Sequence, residues 1–313
     1  MLTAELIIFA VSCAALVISA GWCMRSAVKI ASCFKLSEFA IGFIIVAIST
    51  SIPELFVGIT SAFNKTPELA LGTVIGSNIA DLTLVLGIAV LLGRGIKIKA
   101  KAIKRSAQFM LLASFLPVVL MLDGMLSRYD GIFLLLVFCF YIRELLGERK
   151  EFRKRLHAPK KALFLSIALF VISIALLLLS SEFVVKSAVS ISDELLVPPI
   201  LIGLFLVAIG TSLPELIFET RAVLKKHKEL ALGDVIGSVV ANSTLVLGAT
   251  SLIYPITANM ILFFSSTIFM LAVAAVFVAF AKGKRGFTIK EGILLLLFYI
   301  LFIFLEFFIK SAV

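Results

Sequence analysis

Charged residues are scarce in this 313-residue chain: Asp, Glu, Lys and Arg together make up only 15% of it. A soluble protein of this length needs far more polar surface to cover its core. Hydrophobic residues contribute 61% of the sequence, and the mean hydropathy is +1.17. The composition therefore excludes a soluble globular protein and predicts an integral membrane protein.

Histidine and cysteine, the common ligands of zinc and copper, are also rare, with two and four residues. His157 and His227 lie in basic loops, where we expect them to be solvated. The cysteines stand in or beside apolar runs without metal-ligand spacing, and we expect them to be small buried hydrophobes. They are Cys13, Cys23, Cys33 and Cys139. Cysteine usage therefore indicates no metal motif and says little about the redox compartment.

Apolar runs of about 20 residues, the length that spans a bilayer as a helix, recur along the whole chain. They cover residues 4–24, 39–63, 70–92, 106–122, 130–147, 162–185, 199–222, 231–254, 258–281 and 289–309. The first run has Glu5 near its start and is predicted to be a retained helix, not a cleaved signal peptide. The predicted fold is an all-α integral membrane protein with ten transmembrane helices.

The net charge of +10 arises mainly from basic residues that gather in alternate connections between these runs. These basic connections lie near residues 94–105, 149–161, 221–228 and 282–285. The positive-inside rule places them in the cytoplasm and both termini outside a cell membrane that the chain crosses many times. The excess of positive charge thus sets the orientation of the chain in the lipid bilayer, its expected partner, and neither nucleic acid nor an obligate protein partner is indicated.

The second half of the chain repeats the first at a constant offset of 161 residues over about 90 positions. Residues 68–72 and 229–233 are identical, and residues 83–87 match 244–248. Because each half holds five predicted helices, the second copy enters the membrane from the opposite side. The sequence therefore predicts an inverted repeat, an architecture that places substrate sites near the membrane midplane.

The repeat also predicts the domain boundaries. Residues 1–147 form the first five-helix repeat, with its signature region at 39–92, and residues 162–313 form the second, with its signature region at 199–254. The basic stretch 148–161 between them is a cytoplasmic linker that is too short to hold a folded domain.

The first signature segment places a proline and a glutamate inside each of two apolar runs. Residues 47–55 read Ala-Ile-Ser-Thr-Ser-Ile-Pro-Glu-Leu, and residues 208–216 read Ala-Ile-Gly-Thr-Ser-Leu-Pro-Glu-Leu. A carboxylate in the middle of a membrane helix costs about 2.5–3.5 kcal/mol on insertion scales, so Glu54 and Glu215 are candidate functional residues.

Spacing and proline chemistry indicate what these segments bind. In each copy an alanine, a threonine, a serine and the glutamate fall on one helix face. They are Ala47, Thr50, Ser51 and Glu54 in the first copy, and Ala208, Thr211, Ser212 and Glu215 in the second. Each proline lacks an N–H and releases backbone carbonyls one turn back. Carbonyl, hydroxyl and carboxylate oxygens together favour a hard cation such as Ca²⁺.

The second signature segment covers residues 72–81 and 233–242. Its Gly-x-x-x-Gly pairs are expected to let helix backbones approach closely. Ser77 and Asp81 share one face, as do Ser238 and Asn242, and these side chains could supply further oxygens to a site shared with the glutamates. The alternative for Asp81 is a protonated carboxyl group that is hydrogen-bonded to a neighbouring helix.

Other polar residues in these regions are weaker candidates for the site. Asp234 lies near a helix start, where its negative charge suits the helix dipole. Glu219 is expected to pair with a cytoplasmic base such as Arg221. Asn78, Thr83 and Thr244 complete this group.

Two copies of Thr-Ser-x-Pro-Glu-Leu, each followed by Gly-x-x-x-Gly-Ser, resemble the α-1 and α-2 repeats of the cation/Ca²⁺ exchanger superfamily. The resemblance covers essentially the full chain and is strongest to the compact prokaryotic sodium/calcium exchangers. It implies a central site that binds Ca²⁺ or several Na⁺ ions alternately, while the helices at 4–24 and 162–185 slide across the rest.

The resemblance also implies a role for each site residue. Glu54 and Glu215 with the Thr50 and Thr211 carbonyls would bind Ca²⁺. The Na⁺ sites would be completed by Ala47, Ser51, Ser77, Ala208, Ser212 and Ser238, with Asp81 and Asn242 at the remaining polar positions. Compared with archaeal exchangers, the acid and the amide of this last pair are exchanged between the repeats. The ions are substrates, and neither a cofactor nor enzymatic chemistry is expected.

The sequence thus predicts a Na⁺/Ca²⁺ antiporter that works by alternating access. The nearest alternative is an exchanger of the same fold that couples Ca²⁺ to protons or another cation. Two alternatives from other classes are a passive cation channel and a membrane scaffold that transports nothing.

Overall fold

The computed structural model describes residues 2–33, 50–98, 101–147, 161–283 and 285–312. This part of the chain contains fourteen α-helical segments and two short strands. The first half holds α1 (Leu2–Cys33), α2 (Ile52–Phe63), α3 (Pro67–Ala80), α4 (Leu86–Leu92), α5 (Lys101–Leu120), β1 (Met125–Leu126) and α6 (Arg128–Gly147). The second half holds α7 (Lys161–Leu195), α8 (Pro199–Ile202), α9 (Ala208–Thr211), α10 (Leu213–Leu224), α11 (Lys228–Ala241), α12 (Leu247–Ile253), β2 (Ile256–Thr257), α13 (Met260–Lys282) and α14 (Ile289–Ala312).

The helices are long and apolar enough to span a membrane in most of the predicted places. Seven spans meet this criterion within the described ranges, and the bent pair Pro199–Thr211 and Leu213–Leu224 makes an eighth. Helices α2 and α6 lie at the two other predicted positions but do not meet it. The all-α membrane fold is therefore confirmed, whereas the count of ten crossings stays a prediction.

Helices α1 and α7 are longer than their apolar runs predicted. Each continues for about ten residues past its predicted end, to Cys33 and Leu195. The two helices pack side by side through a shared apolar cluster that includes Leu16, Leu177 and Val184. The polar residues that end each apolar run still continue the helix because this long contact stabilises it.

The two segments that carry the second signature lie at the centre of the molecule. In the spans Pro67–Leu92 and Lys228–Ile253, 83% and 89% of the residues of the most apolar window are buried, against 22% in Leu163–Leu195. Close approach of helix backbones permits this central position. If Gly72 carried a Cβ atom, that atom would lie only 2.0 Å from the Ile200 carbonyl oxygen. The predicted packing role of Gly72 is thus confirmed.

Two short antiparallel pairings join the halves at equivalent places. Met125 pairs with Thr257 and Leu126 pairs with Ile256 in the sheet β1–β2. At the other pairing, Ile96 and Phe287 exchange backbone hydrogen bonds of 2.7 and 2.9 Å. The 161-residue offset places the second pairing within one residue of the position that corresponds to the first.

The cysteine prediction was right for Cys13 and Cys23, which are buried, and wrong for Cys139, which is exposed on α6. A membrane helix presents apolar side chains to lipid as well as to protein, so an apolar run does not decide burial. The side chain of Cys33 lies outside the described part. His227 is exposed, as predicted, while His157 falls in the undescribed segment 148–160.

Candidate cation site

Both glutamates of the first signature stand in the first turn of a short helix. Helices α2 and α10 each carry proline within the first turn, where its missing N–H leaves no helical bond unmade. The residues before them, Ser51 and Ser212, have nearly the same backbone angles, φ −81° and ψ 6° against φ −80° and ψ 4°. The chain bends by 41° at this point in the second half. The predicted interruption near Pro214 is therefore confirmed.

The structure buries every predicted site residue that it describes, with exposures of 4% or less. These residues are Thr50, Ser51, Glu54, Ser77, Asp81, Ala208, Thr211, Ser212, Glu215, Ser238 and Asn242. Ala47, the remaining predicted ligand, lies outside the described residues. The carbonyl of its repeat partner Ala208 accepts the backbone N–H of Ser212 at 2.9 Å and the Thr211 hydroxyl at 3.3 Å.

Hydroxyl pairs connect the two halves symmetrically around the glutamates. The Thr50 and Ser238 hydroxyl oxygens are 3.0 Å apart, and those of Ser77 and Thr211 are 3.3 Å apart. The 161-residue offset relates these two pairs to each other. The Ser77 hydroxyl also donates to Oε1 of Glu54 at 3.3 Å. Both signature segments of both repeats therefore meet in one place.

The helices of the second signature widen into a π-helical turn at Asp81–Val85 and Asn242–Val246. In each turn the backbone N–H five residues on, from Leu86 or Leu247, reaches the carbonyl of the first residue. Thr83 and Thr244 donate their hydroxyls to carbonyls four residues back, which supports the altered backbone. Such π-turns are frequent at functional sites, and here they start at the two polar positions that the sequence singled out.

Asn242 contacts a residue that the sequence treated as a weaker candidate. Its Nδ2 donates to Oδ1 of Asn78 at 3.2 Å, and Nδ2 of Asn78 donates to the Ser243 hydroxyl at 3.0 Å. The amide of Asn242 thus joins a neutral network across the two halves. Asp81, its repeat partner, instead interacts electrostatically with the carboxyl groups of Glu54 and Asp234.

Two further acids in the centre were misjudged from the sequence. Asp234 is 2% exposed and accepts the Thr50 hydroxyl at 3.2 Å, so it belongs to the site and not merely to a helix start. Glu219 is fully buried and has no hydrogen-bond partner in the described part of the chain, while Arg221 is exposed. The expected pairing of these two was wrong because Glu219 faces the protein interior, two positions before Arg221 on the helix. Its four-residue spacing from Glu215 was the signal that could have found it.

The site holds five buried carboxyl groups, those of Glu54, Asp81, Glu215, Glu219 and Asp234. No Lys, Arg or His is buried among the described residues, so no basic side chain neutralises these acids from within. Their charges repel one another, since Glu215 interacts with three of the others. Neutralisation must therefore come from cations or protons that enter the site.

The oxygens that are free to bind a cation include acids and hydroxyls. Both carboxyl oxygens of Glu215, one of Glu54 and the hydroxyl of Ser51 are buried without a hydrogen-bond partner in the described ranges. No three acidic, His or Cys side chains of those ranges converge closely enough to hold a metal ion alone. Hydroxyl and backbone oxygens must complete any coordination shell, which fits Na⁺ and Ca²⁺.

Comparison with known proteins decides the family. The sequence model of the sodium/calcium exchanger protein family matches residues 4–145 and 165–308. The chain belongs to this family. It is 30% identical to the sodium/calcium exchanger MaX1 of Methanosarcina acetivorans, over 99% of this chain and 100% of that one. It is 33% identical to the inner membrane protein YrbG of Escherichia coli over 71% of both chains.

Solved structures agree with this assignment. A structure of the sodium-calcium exchanger NCX_Mj, soaked with Na⁺ and Sr²⁺, is 28% identical and covers 97% of this chain. The match covers 99% of that chain with a TM-score of 0.69. The chain is therefore a multi-pass membrane protein of the sodium/calcium exchanger family, a group of transporters.

Proposed function

We propose that the protein is a secondary antiporter that exchanges Na⁺ for Ca²⁺ by alternating access at the site around Glu54 and Glu215. One observation carries the proposal: the buried acids Glu54 and Glu215, one from each repeat, interact electrostatically with each other, and Glu54 accepts the hydroxyl of Ser77, which is paired with Thr211 of the other half. Two such acids repel each other unless a divalent ion or several Na⁺ ions neutralise them. Ca²⁺ and Na⁺ therefore compete for one site, and no resident cofactor takes part.

The proposed architecture is ten transmembrane helices in two inverted repeats. The predicted positions of all ten carry helix within the described ranges, and the two cross-half pairings at Ile96–Phe287 and in β1–β2 support an internal twofold relation. In this arrangement the basic connections face the cytoplasm and both termini lie outside.

Alternating access in this proposal is a movement of α1 and α7 past the central helices. These two helices pack on each other along their length and are among the less buried spans. Helix α1 also passes close to the first signature of the second half, since a Cβ on Gly210 would lie 2.9 Å from the Cys13 sulfur. A shift of α1 would therefore change the surroundings of the bend near Ser212.

The test is ⁴⁵Ca²⁺ uptake into proteoliposomes with Na⁺, K⁺ and H⁺ gradients imposed separately at clamped voltage. We expect the outward Na⁺ gradient alone to drive uptake. Glu54→Gln and Glu215→Gln should each lower the rate by about 100-fold, because losing one buried charged partner costs about 2–5 kcal/mol. Glu306→Gln is the matched control, since Glu306 is also a buried membrane acid but bonds to Ser265 and Ser266 on α13.

Uptake that follows the H⁺ gradient and ignores Na⁺ would instead establish a proton-coupled exchanger. The five buried carboxyl groups without a buried base are the observation that favours this second candidate. Full uptake by both glutamine variants would exclude transport through the central site altogether.

A further inference from the structure

We propose that Glu219 and Asp234 form a second cation-binding position beside the central one, displaced toward the loop at residues 225–227. This position takes the same hard cations as the central site. The proposal rests on the transport function proposed above, because it describes a step on the path between the central site and one face of the membrane.

The geometry follows from two helices that run in opposite directions. Glu219 stands one turn beyond Glu215 on α10, and Asp234 stands one turn before Ser238 on α11. Because α10 runs toward the loop at 225–227 and α11 runs away from it, both displacements point the same way. One turn of four residues corresponds to about 6 Å along each helix. The two acids therefore lie one level closer to this loop than the central ligands.

The burial of Glu219 and Asp234, and carboxyl oxygens that lack hydrogen-bond partners in the described part of the chain, indicate that the pair can bind a cation. Glu219 is 0% and Asp234 2% exposed. Neither oxygen of Glu219, nor Oδ2 of Asp234, has a hydrogen-bond partner among the residues that the structure describes. The two carboxyl groups interact electrostatically with each other, and Glu219 also interacts with Asp81. Two buried carboxylates that interact without a base are costly unless a cation or a proton neutralises them.

The bases at this end of the molecule do not neutralise the pair. The Lys228 ammonium donates to the Gly93 and Gly95 carbonyl oxygens, both at 2.6 Å. Arg221 is exposed. Neither of these two basic side chains therefore supplies the positive charge that would neutralise Glu219 and Asp234.

The repeat shows that the second position exists on one side only. The partner of Glu219 in the first half is Gly58, whose missing side chain makes room for Thr250: a Cβ there would lie 2.6 Å from the Thr250 hydroxyl. The partner of Asp234 is Thr73, whose hydroxyl donates to the Leu69 carbonyl of its own helix. Neither residue can bind a cation strongly, so the path toward the loop at 64–66 lacks an equivalent acidic pair.

A hydrogen bond connects the second position to the central one. The Thr50 hydroxyl donates to Asp234 and lies 3.0 Å from the Ser238 hydroxyl of the central site. Two carboxylates and one hydroxyl are fewer ligands than the six to eight that Ca²⁺ prefers. We therefore expect Ca²⁺ to bind here at least about tenfold more weakly than at the centre, as suits a position that an ion occupies briefly on its way.

The experiment is equilibrium ⁴⁵Ca²⁺ binding to the purified full chain in detergent without Na⁺, up to millimolar Ca²⁺. We expect two Ca²⁺ ions per chain for the wild type and one for the double variant Glu219→Gln/Asp234→Asn. The double variant Glu54→Gln/Glu215→Gln should keep one, more weakly bound ion. Glu306→Gln, which removes a buried acid far from this pair in sequence, should still bind two.

Fewer than two ions for the wild type, or two for Glu219→Gln/Asp234→Asn, would overturn the proposal. Elution volume in size-exclusion chromatography and the melting temperature verify that each variant is folded. Binding is measured without any gradient, so it is independent of transport. Two bound ions without Na⁺-driven uptake would refute the antiporter alone, whereas Na⁺-driven uptake with a single bound ion would refute the second position alone.

Discussion

Replacing Gly76 by alanine tests how the central helices are held together. Gly76 lies beside Ser77 in the middle of α3, where a Cβ would stand 2.0 Å from the Leu204 carbonyl oxygen and 2.7 Å from the Ala208 Cβ. Ordinary van der Waals contact begins at 3.4 Å. The backbone at residues 204–208 must therefore move about 1.4 Å away from α3, because neither neighbouring atom belongs to a flexible side chain that could turn away.

The magnitude follows from two opposing effects. Overpacking of this kind costs about 1–3 kcal/mol, and alanine returns up to about 1 kcal/mol through its better helix propensity. We expect Gly76→Ala to destabilise the protein by about 1–2 kcal/mol. The effect on transport should be larger, since the shift displaces Ser77 from Glu54, and a misplacement of about 1 Å costs up to 100-fold in rate.

The assay combines the melting temperature in detergent with Ca²⁺ uptake by proteoliposomes. Gly21→Ala in α1 is the matched control, because a Cβ at Gly21 would meet nothing within 4 Å. This control should leave uptake unchanged and should not lower the melting temperature. If Gly76→Ala matches the wild type in both measurements, close backbone approach at Gly76 does not determine the geometry of the site.

The remaining predictions concern one hydroxyl and two basic residues. Thr50→Val removes the hydrogen bond to Asp234 and should raise the Ca²⁺ concentration for half-maximal uptake about tenfold, whereas Thr50→Ser keeps this hydrogen bond and should leave that concentration unchanged. Equal half-maximal concentrations for the two variants would contradict the role assigned to the Thr50 hydroxyl. Lys228→Met removes two bonds to backbone carbonyls and should destabilise the protein by about 1.5–3 kcal/mol in thermal unfolding. Arg105→Gln breaks an exposed ion pair with Glu144 and should change stability by less than about 1 kcal/mol, so an equal loss in both variants would refute the reasoning.

Much of the fold could be predicted because hydropathy and the repeat are properties of the sequence itself. Ten apolar runs mark ten places where the structure has helix, and the proline positions mark where α2 and α10 begin. Helix ends were less predictable. Helices α1 and α7 extend well beyond their apolar runs because each is stabilised by contact with the other.

Most of the site could be predicted for the same reason. The repeat singled out Glu54 and Glu215, and the structure buries both and brings them close enough to interact electrostatically. The exposed Cys139 and the buried Glu219 show the limit of such reasoning. The apolar surroundings of Cys139 suggested burial, although its side chain is exposed. The charge of Glu219 suggested pairing with an exposed base, although its side chain is buried.

The sequence by itself determined that this chain lies in a membrane, that its halves are related, and that each half carries one glutamate on a helix interrupted by proline. These features depend on composition, period and spacing. Only the tertiary structure decided that five acidic side chains are buried together in the interior of the protein. It also decided that two of them, Glu219 and Asp234, lie on one side of the central site. The physical reason is that burial and electrostatic repulsion depend on which residues from distant parts of the chain pack together.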